Sequence, residues 1–130
     1  MFSVDRLDHL VLTVADIDAT CDFYARVLGM RRVEFGPERR AALAFGRQKI
    51  NLHRAGAEFE PKARLATPGS GDLCFITEAP IGEVIAHLIA EDVPIVQGPV
   101  PKIGAEGPMT SVYVRDPDGN LVEIARYAAG

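Results

Sequence analysis

Hydrophobic and polar residues alternate along residues 7–14, Leu-Asp-His-Leu-Val-Leu-Thr-Val. Leu10, Leu12 and Val14 project to one side and His9, Val11 and Thr13 to the other, which predicts a strand with one apolar and one mixed face. Past Asp16 the period lengthens. Ile17, Cys21, Tyr24 and Leu28 recur at helical spacing and predict a helix over 17–28, capped by Asp16 at its start and Gly29 at its end. Three short strands follow near 31–36, 41–46 and 48–54, with Gly36-Pro37 and Gly46 at the turns. Residues 55–70 carry no periodicity and read as a linker or an active-site loop.

A similar order then restarts. Gly71-Asp-Leu-Cys-Phe-Ile76 reads as a strand, and Pro80 opens a helix of about 81–91 with Val84, Ile85 and Leu88 on one face. Strands are expected near 94–98, 110–115 and 120–127, the last preceded by the turn Asp116-Pro-Asp-Gly119. Gly98, Gly104 and Gly107, with Pro99, Pro101 and Pro108, break the pattern and read as a lid over a cavity. Both halves therefore read β-α-β-β-β, an α+β chain. Laying the second half on the first puts Asp72 on His9 and Asp92 on Gly29. Identity between the halves is low, so element order carries the repeat, and an ordinary α+β domain with two chance-similar halves stays open beside it.

The 130 residues suffice for one domain or two small modules, and 48% hydrophobic with 25% charged residues is a globular composition. A net charge of −4 disfavours a nucleic-acid or anionic-membrane surface. No apolar run is long enough to span a bilayer, and the opening Met1-Phe-Ser-Val-Asp-Arg reads without a secretory signal, so none is expected. Cys21 and Cys74 form no CxxC pair, so a reduced, cytoplasmic setting is expected.

His87 lies beside Leu88 in the second helix and reads as a surface residue. His9 is on the mixed face of the first strand, and His53 ends the Ile50-Asn51-Leu52-His53 strand with Asn51 on its side. Each alone is an ordinary strand histidine. Glu123, set among apolar residues in Asn120-Leu-Val-Glu-Ile-Ala125, is costly to bury without a proton, a partner or a cation, or else is a strand-edge residue facing water. If the halves pair symmetrically, the fourth strands bring His53 and Glu123 to equivalent places, and the first strands His9 and Asp72. Two imidazoles with one or two carboxylates suit Fe(II), Mn(II), Ni(II), Co(II) or Zn(II). Cys74 shares a face with Asp72. Arg54, Lys62, Arg64 and Lys102 are weak candidates for an anionic substrate. No GxGxxG, Walker A or nucleophile-elbow pattern occurs.

The opening Asp8-His9-Leu-Val-Leu-Thr-Val-Ala-Asp16-Ile, with Phe23-Tyr24 and Leu28-Gly29, resembles the start of the vicinal oxygen chelate superfamily. That superfamily comprises the glyoxalases, bleomycin-resistance proteins and extradiol dioxygenases. The ending Val112-Tyr-Val-Arg-Asp-Pro-Asp-Gly-Asn-Leu-Val-Glu123-Ile resembles its last strand pair. Phe45–His53 and Gly71–Thr77 are similar to a glyoxalase-domain subgroup that includes virulence proteins. The resemblance implies one glyoxalase-like domain of two paired βαβββ modules, about 5–55 and 71–127 with 56–70 as linker, forming a cup-shaped, mostly antiparallel sheet. It also implies a homodimer and a divalent metal on His9, His53, Asp72 and Glu123. Two departures are visible: Asp72 stands where His or Gln is usual, and His53 where glyoxalase I carries Glu. The expected function is a metal-dependent lyase or isomerase on a small oxygenated metabolite chelated through vicinal oxygens, with Glu123 or Asp72 moving the proton. The alternatives are a related Fe(II) dioxygenase and a metal-free drug- or metabolite-binding protein.

Overall fold

The computed structural model describes residues 1–128. The chain divides into two compact units, Met1–Pro68 and Gly69–Gly130, each built on a four-stranded mixed sheet with one helix. In the first unit, β1 (His9–Val14) leads to α1 (Ile17–Leu28), then β2 (Arg31–Phe35), β3 (Arg40–Phe45) and β4 (Gln48–Arg54). The sheet order is β1-β4-β3-β2, with β1 and β4 parallel and the other pairs antiparallel. The second unit repeats it: β5 (Asp72–Ile76), α2 (Ile81–Ala90), β6 (Gln97–Gly104), β7 (Gly107–Arg115) and β8 (Leu121–Tyr127), ordered β5-β8-β7-β6 with β5 and β8 parallel.

The apolar side of the first strand packs as its alternation requires. Leu12, Val14, Leu43, Ile50 and Leu52 are buried on one face of the sheet, and α1 presents Cys21, Tyr24 and Val27 to it. Asp16 Oδ1 accepts from the Ala19 amide at 3.0 Å, and Gly29, at φ 70°, donates its amide to Ala25 O. These are the two caps expected of a helix starting after Asp and ending before Gly. In the second unit Asp92 does what Gly29 does in the first: it turns the chain at φ 55° just beyond the helix, a conformation an L side chain adopts at a cost.

The segment 98–108 is a hairpin and not a lid. Its first strand begins three residues later than the sequence pattern placed it and runs to Gly104. β6 pairs only with β7, so it is an edge strand, where proline is tolerated because one row of N–H groups has no ladder partner. Gly98, at φ 113°, sits at an irregularity between Gln97 and Val100, and a Cβ there would come within 2.6 Å of Ser111 O.

The turn between β7 and β8 is locked by a buried side-chain network. Asp116 Oδ1 accepts from the amides of Asp118 and Asn120, both at 2.9 Å, and its Oδ2 accepts from Asn120 Nδ2 at 2.7 Å. Asn120 Oδ1 in turn accepts from the Gly71 amide at 2.7 Å, tying the turn to the residue just before β5. Both side chains are buried, so each bond replaces water that cannot reach.

Two outcomes follow. Asn120→Ala removes the acceptor of the Gly71 amide and the donor to Asp116 Oδ2 and is expected to destabilise the protein by about 2–4 kcal/mol in urea unfolding. Asp92→Gly relieves the left-handed turn and is expected to stabilise it by about 0.5–1 kcal/mol. A neutral Asn120→Ala, or a destabilising Asp92→Gly, would contradict these assignments.

Candidate functional site

Register fixes which side chains share the face turned away from each helix. In the first unit β1 runs beside β4 with His9 opposite Lys49, Val11 opposite Asn51 and Thr13 opposite His53. His9, Asn51 and His53 therefore project from the same face, the one α1 does not cover. His9 is exposed, and its Nδ1 lies 2.8 Å from Asp8 Oδ2. A carboxylate can only accept there, so Nδ1 carries a proton and Nε2 is the ring nitrogen left for another partner. That hydrogen bond is the main cause that holds the Asp8 carboxyl below its ordinary range. The pair is too exposed to add much stability; what it fixes is the ring's tautomer and orientation.

His53 is 6% exposed and meets the Phe59 ring edge-on at 5.5 Å. The Arg40 guanidinium lies over the other partner of that contact, 3.8 Å from the Phe59 centroid. Burial, then the positive charge of Arg40, lowers the His53 pKa, so the ring is neutral near pH 7 and keeps a free lone pair.

In the second unit Cys74 pairs with Glu123, and Glu123 with Tyr113. Asp72, Cys74, Ser111, Tyr113 and Glu123 consequently share the face away from α2. Ser111, fully buried, donates its hydroxyl to Glu123 Oε2 at 2.6 Å. Burial, and then the Glu123 carboxylate, push the Cys74 thiol up to about 11 and raise the Tyr113 phenol as well. Both groups thus stay protonated donors at neutral pH. Asp72 is exposed and makes no hydrogen bond or ion pair with the described residues.

The register also corrects the expected symmetry. Glu123 stands opposite the residue two beyond Asp72, and the residue opposite the one two beyond His9 is Asn51, not His53. His53 corresponds to Ala125. The symmetry expected from element order matches His53 to Glu123; counting strand residues from the first-strand partner finds Asn51 instead. Its Oδ1 is buried without a hydrogen-bond partner, an acceptor on the His9 face that lacks a donor or cation.

The weak substrate candidates separate. Lys102 lies on the Glu123 side, with Nζ 5.7 Å from the Tyr113 ring centroid. Lys62 is paired with Glu58 at 3.4 Å. Arg54 alternates with His53 and points to the helix side of the sheet. Among the described residues, no three His, Cys, Asp or Glu side chains gather into a group that could hold a metal ion. By type, the His9 imidazole, the orphan Asn51 oxygen and the Glu123 carboxylate are donors that suit a divalent cation.

Against known proteins, residues 6–124 match the model of the Glyoxalase/Bleomycin resistance protein/Dioxygenase superfamily. Virulence protein STM3117 of Salmonella typhimurium is 56% identical over 124 residues, 95% of this chain and 85% of that protein. Its crystal structure superposes with a TM-score of 0.95, covering 98% of this chain and all of the other. A glyoxalase domain-containing protein, RDO1 of Mycosarcoma maydis, is 54% identical over 96% of this chain and 70% of its own length. The structure of lactoylglutathione lyase from Agrobacterium tumefaciens is 27% identical, with a TM-score of 0.72 over 95% of each chain. Two units of the same strand order, carrying donor side chains on their helix-free faces and matched along nearly their whole length, place this chain in the Glyoxalase/Bleomycin resistance protein/Dioxygenase superfamily.

Proposed function

We propose that the protein is a metal-dependent enzyme of glyoxalase type, a lyase or isomerase acting on a small oxygenated molecule that offers two neighbouring oxygens. The observation that carries this reading is the Asp8–His9 pair: a ring held by a carboxylate at Nδ1 with Nε2 left for another partner is the arrangement of a histidine prepared for a cation. The likeness to the Agrobacterium lactoylglutathione lyase supports the reaction class.

His9 and Glu123 are the ligands we assign first. His53, neutral at physiological pH, and Asp72 are the further ligands in this reading. Asn51 is the alternative to His53, favoured by its orphan oxygen and its register match to Glu123. When bound, the divalent ion would supply Lewis-acid stabilisation of charge developing on the substrate oxygens. The chain's own part is proton handling. Ser111 holds Glu123 Oε2 and so orients the carboxylate to take a proton from a substrate carbon. The protonated Tyr113 and Cys74 beside it are hydrogen-bond donors to the carboxylate. Asp72, unpaired and on the same face, is the second group for moving the proton, and Lys102 is the cation nearest a negatively charged substrate. A homodimer, the usual assembly of the superfamily, is part of the proposal.

The test is metal content after anaerobic reconstitution with Fe(II), Mn(II), Ni(II), Co(II) and Zn(II). Wild-type protein is expected to retain metal, and His9→Ala and Glu123→Ala to lose it. Asp8→Ala, which frees the ring without removing it, is expected to weaken retention by about 10–100-fold. Comparing His53→Gln with Asn51→Ala identifies the fourth-strand ligand. Full occupancy in both His9→Ala and Glu123→Ala sinks the assignment, and no uptake by the wild type turns the reading to a metal-free binding protein. Oxygen consumption with a catechol would mark a dioxygenase instead.

Cys74 reports on the state of Glu123. With its thiol near 11, the thiolate fraction grows as pH rises towards that value, so alkylation at pH 8 is expected to be slow although the residue is exposed. Glu123→Gln removes the negative charge, and the pH–rate profile for Cys74 is expected to move to lower pH, with Cys21 silent because it is buried. An unmoved profile would mean that burial alone, and not the Glu123 charge, holds the thiol up.

A further inference from the structure

The first unit contains a cavity of about 520 Å³ that the proposed chemistry does not use. Its floor is Leu52 and Ala41, both on the face packed by α1, and Phe59 closes one side. The floor is thus on the helix side of β4, whereas Arg40 and Phe59, stacked on each other beside His53, border the cavity from the sheet's other face.

Four arginines and three carboxylates line it, and most of these charges are already committed. Asp16 is spent on the Ala19 amide. Arg32 holds Asp18 at 2.7 Å, and Arg39 holds Glu34 at 2.7 Å. Two guanidiniums remain without a hydrogen-bonded carboxylate. Arg54 makes no ion pair or hydrogen bond with any described residue. Arg40 stacks on Phe59, and its Nε is buried with no hydrogen-bond partner; Glu38 Oε2, 3.8 Å away, forms a loose ion pair with it but is too far for a hydrogen bond. A buried N–H without an acceptor is costly, and its usual explanation is a bound water or ion.

The second unit supplies an internal comparison. Arg126 stands at the register position of Arg54, is likewise unpaired, and borders a smaller cavity of about 300 Å³ with Thr110 and Ile81. No second guanidinium and no orphan arginine donor line that cavity. The repeated fold thus provides the position, and Arg40 with Phe59 is what the first unit adds.

We infer that this cavity is a binding site for a small organic carboxylate with an apolar or aromatic body. The carboxylate bridges Arg54 and the Arg40 Nε, and the body rests on Leu52, Ala41 and Phe59. A guanidinium fork matches the two oxygens of a carboxylate, the volume is that of a small-molecule site, and the apolar floor distinguishes such a ligand from a bare inorganic anion. Binding here needs no metal.

The experiment is a titration with benzoate followed by amide NMR shifts, with benzamide and inorganic phosphate as comparison ligands. Saturable benzoate shifts are expected at residues 15–18, 38–41 and 52–59. Benzamide, which lacks the charge, and phosphate, which lacks the apolar body, are each expected to bind at least about tenfold more weakly. Arg54→Gln and Arg40→Gln are each expected to weaken benzoate by about tenfold or more, whereas Arg126→Gln leaves it unchanged; dispersed spectra verify that each variant is folded. The inference is overturned by non-saturating shifts, by benzoate affinity unchanged in folded Arg54→Gln, by equal binding of benzamide or phosphate, or by shifts centred on His9 and Asn51.

Discussion

The parallel pairing of the first strand with the fourth governs everything else in each unit. Parallel neighbours cannot be joined by a tight turn, so the chain must cross over before returning. Here the crossover is a helix followed by an antiparallel pair of strands. The helix covers one face of the sheet, and the other is left for polar side chains. The same pairing brings residues about forty or fifty positions apart onto adjacent strands: Val11 beside Asn51, Cys74 beside Glu123. The first-strand and fourth-strand side chains of the helix-free face therefore come from the two ends of a unit.

What was readable in the sequence was local. The helix of the first unit was legible because Asp16, the spaced apolar residues and Gly29 act within one segment, and the caps form as their types require. The Asp-Pro-Asp-Gly turn was legible for the same reason, although its tie to Gly71 was not, since that bond joins residues 49 apart. His9 could be placed on the correct face from alternation alone, and Glu123 stood out by its apolar neighbours. Their fourth-strand companion could not, because register depends on where a strand begins against its neighbour, and a step of two residues preserves the face while changing the residue. The β6 strand was hidden by its prolines, which weigh against a strand in any local reading and are harmless at an edge.

The two units show how one scaffold diverges. Each offers a first-strand and a fourth-strand polar residue at matched places, His9 with Asn51 in one and Asp72 with Glu123 in the other. The surroundings differ more than the residues do. Glu123 stands among hydroxyl and thiol donors that keep their protons, whereas the imidazole of His53 is stripped of its charge by burial and by Arg40. One face gathers donors about a carboxylate and the other presents neutral lone pairs. On the helix side the same divergence recurs, with Arg54 and Arg126 at one register position in cavities of different make-up.

The prolines of β6 have a consequence for the protein's behaviour in a crowded solution. An unpaired strand edge is a template on which another chain can add, and long flat edges are where aggregation starts. Pro99 and Pro101 remove amide donors from the outer strand, and the irregularity at Gly98 bends it out of a flat line. A foreign strand arriving there finds an incomplete ladder. The residues that disguise this strand in the sequence are thus the ones that keep the sheet from growing.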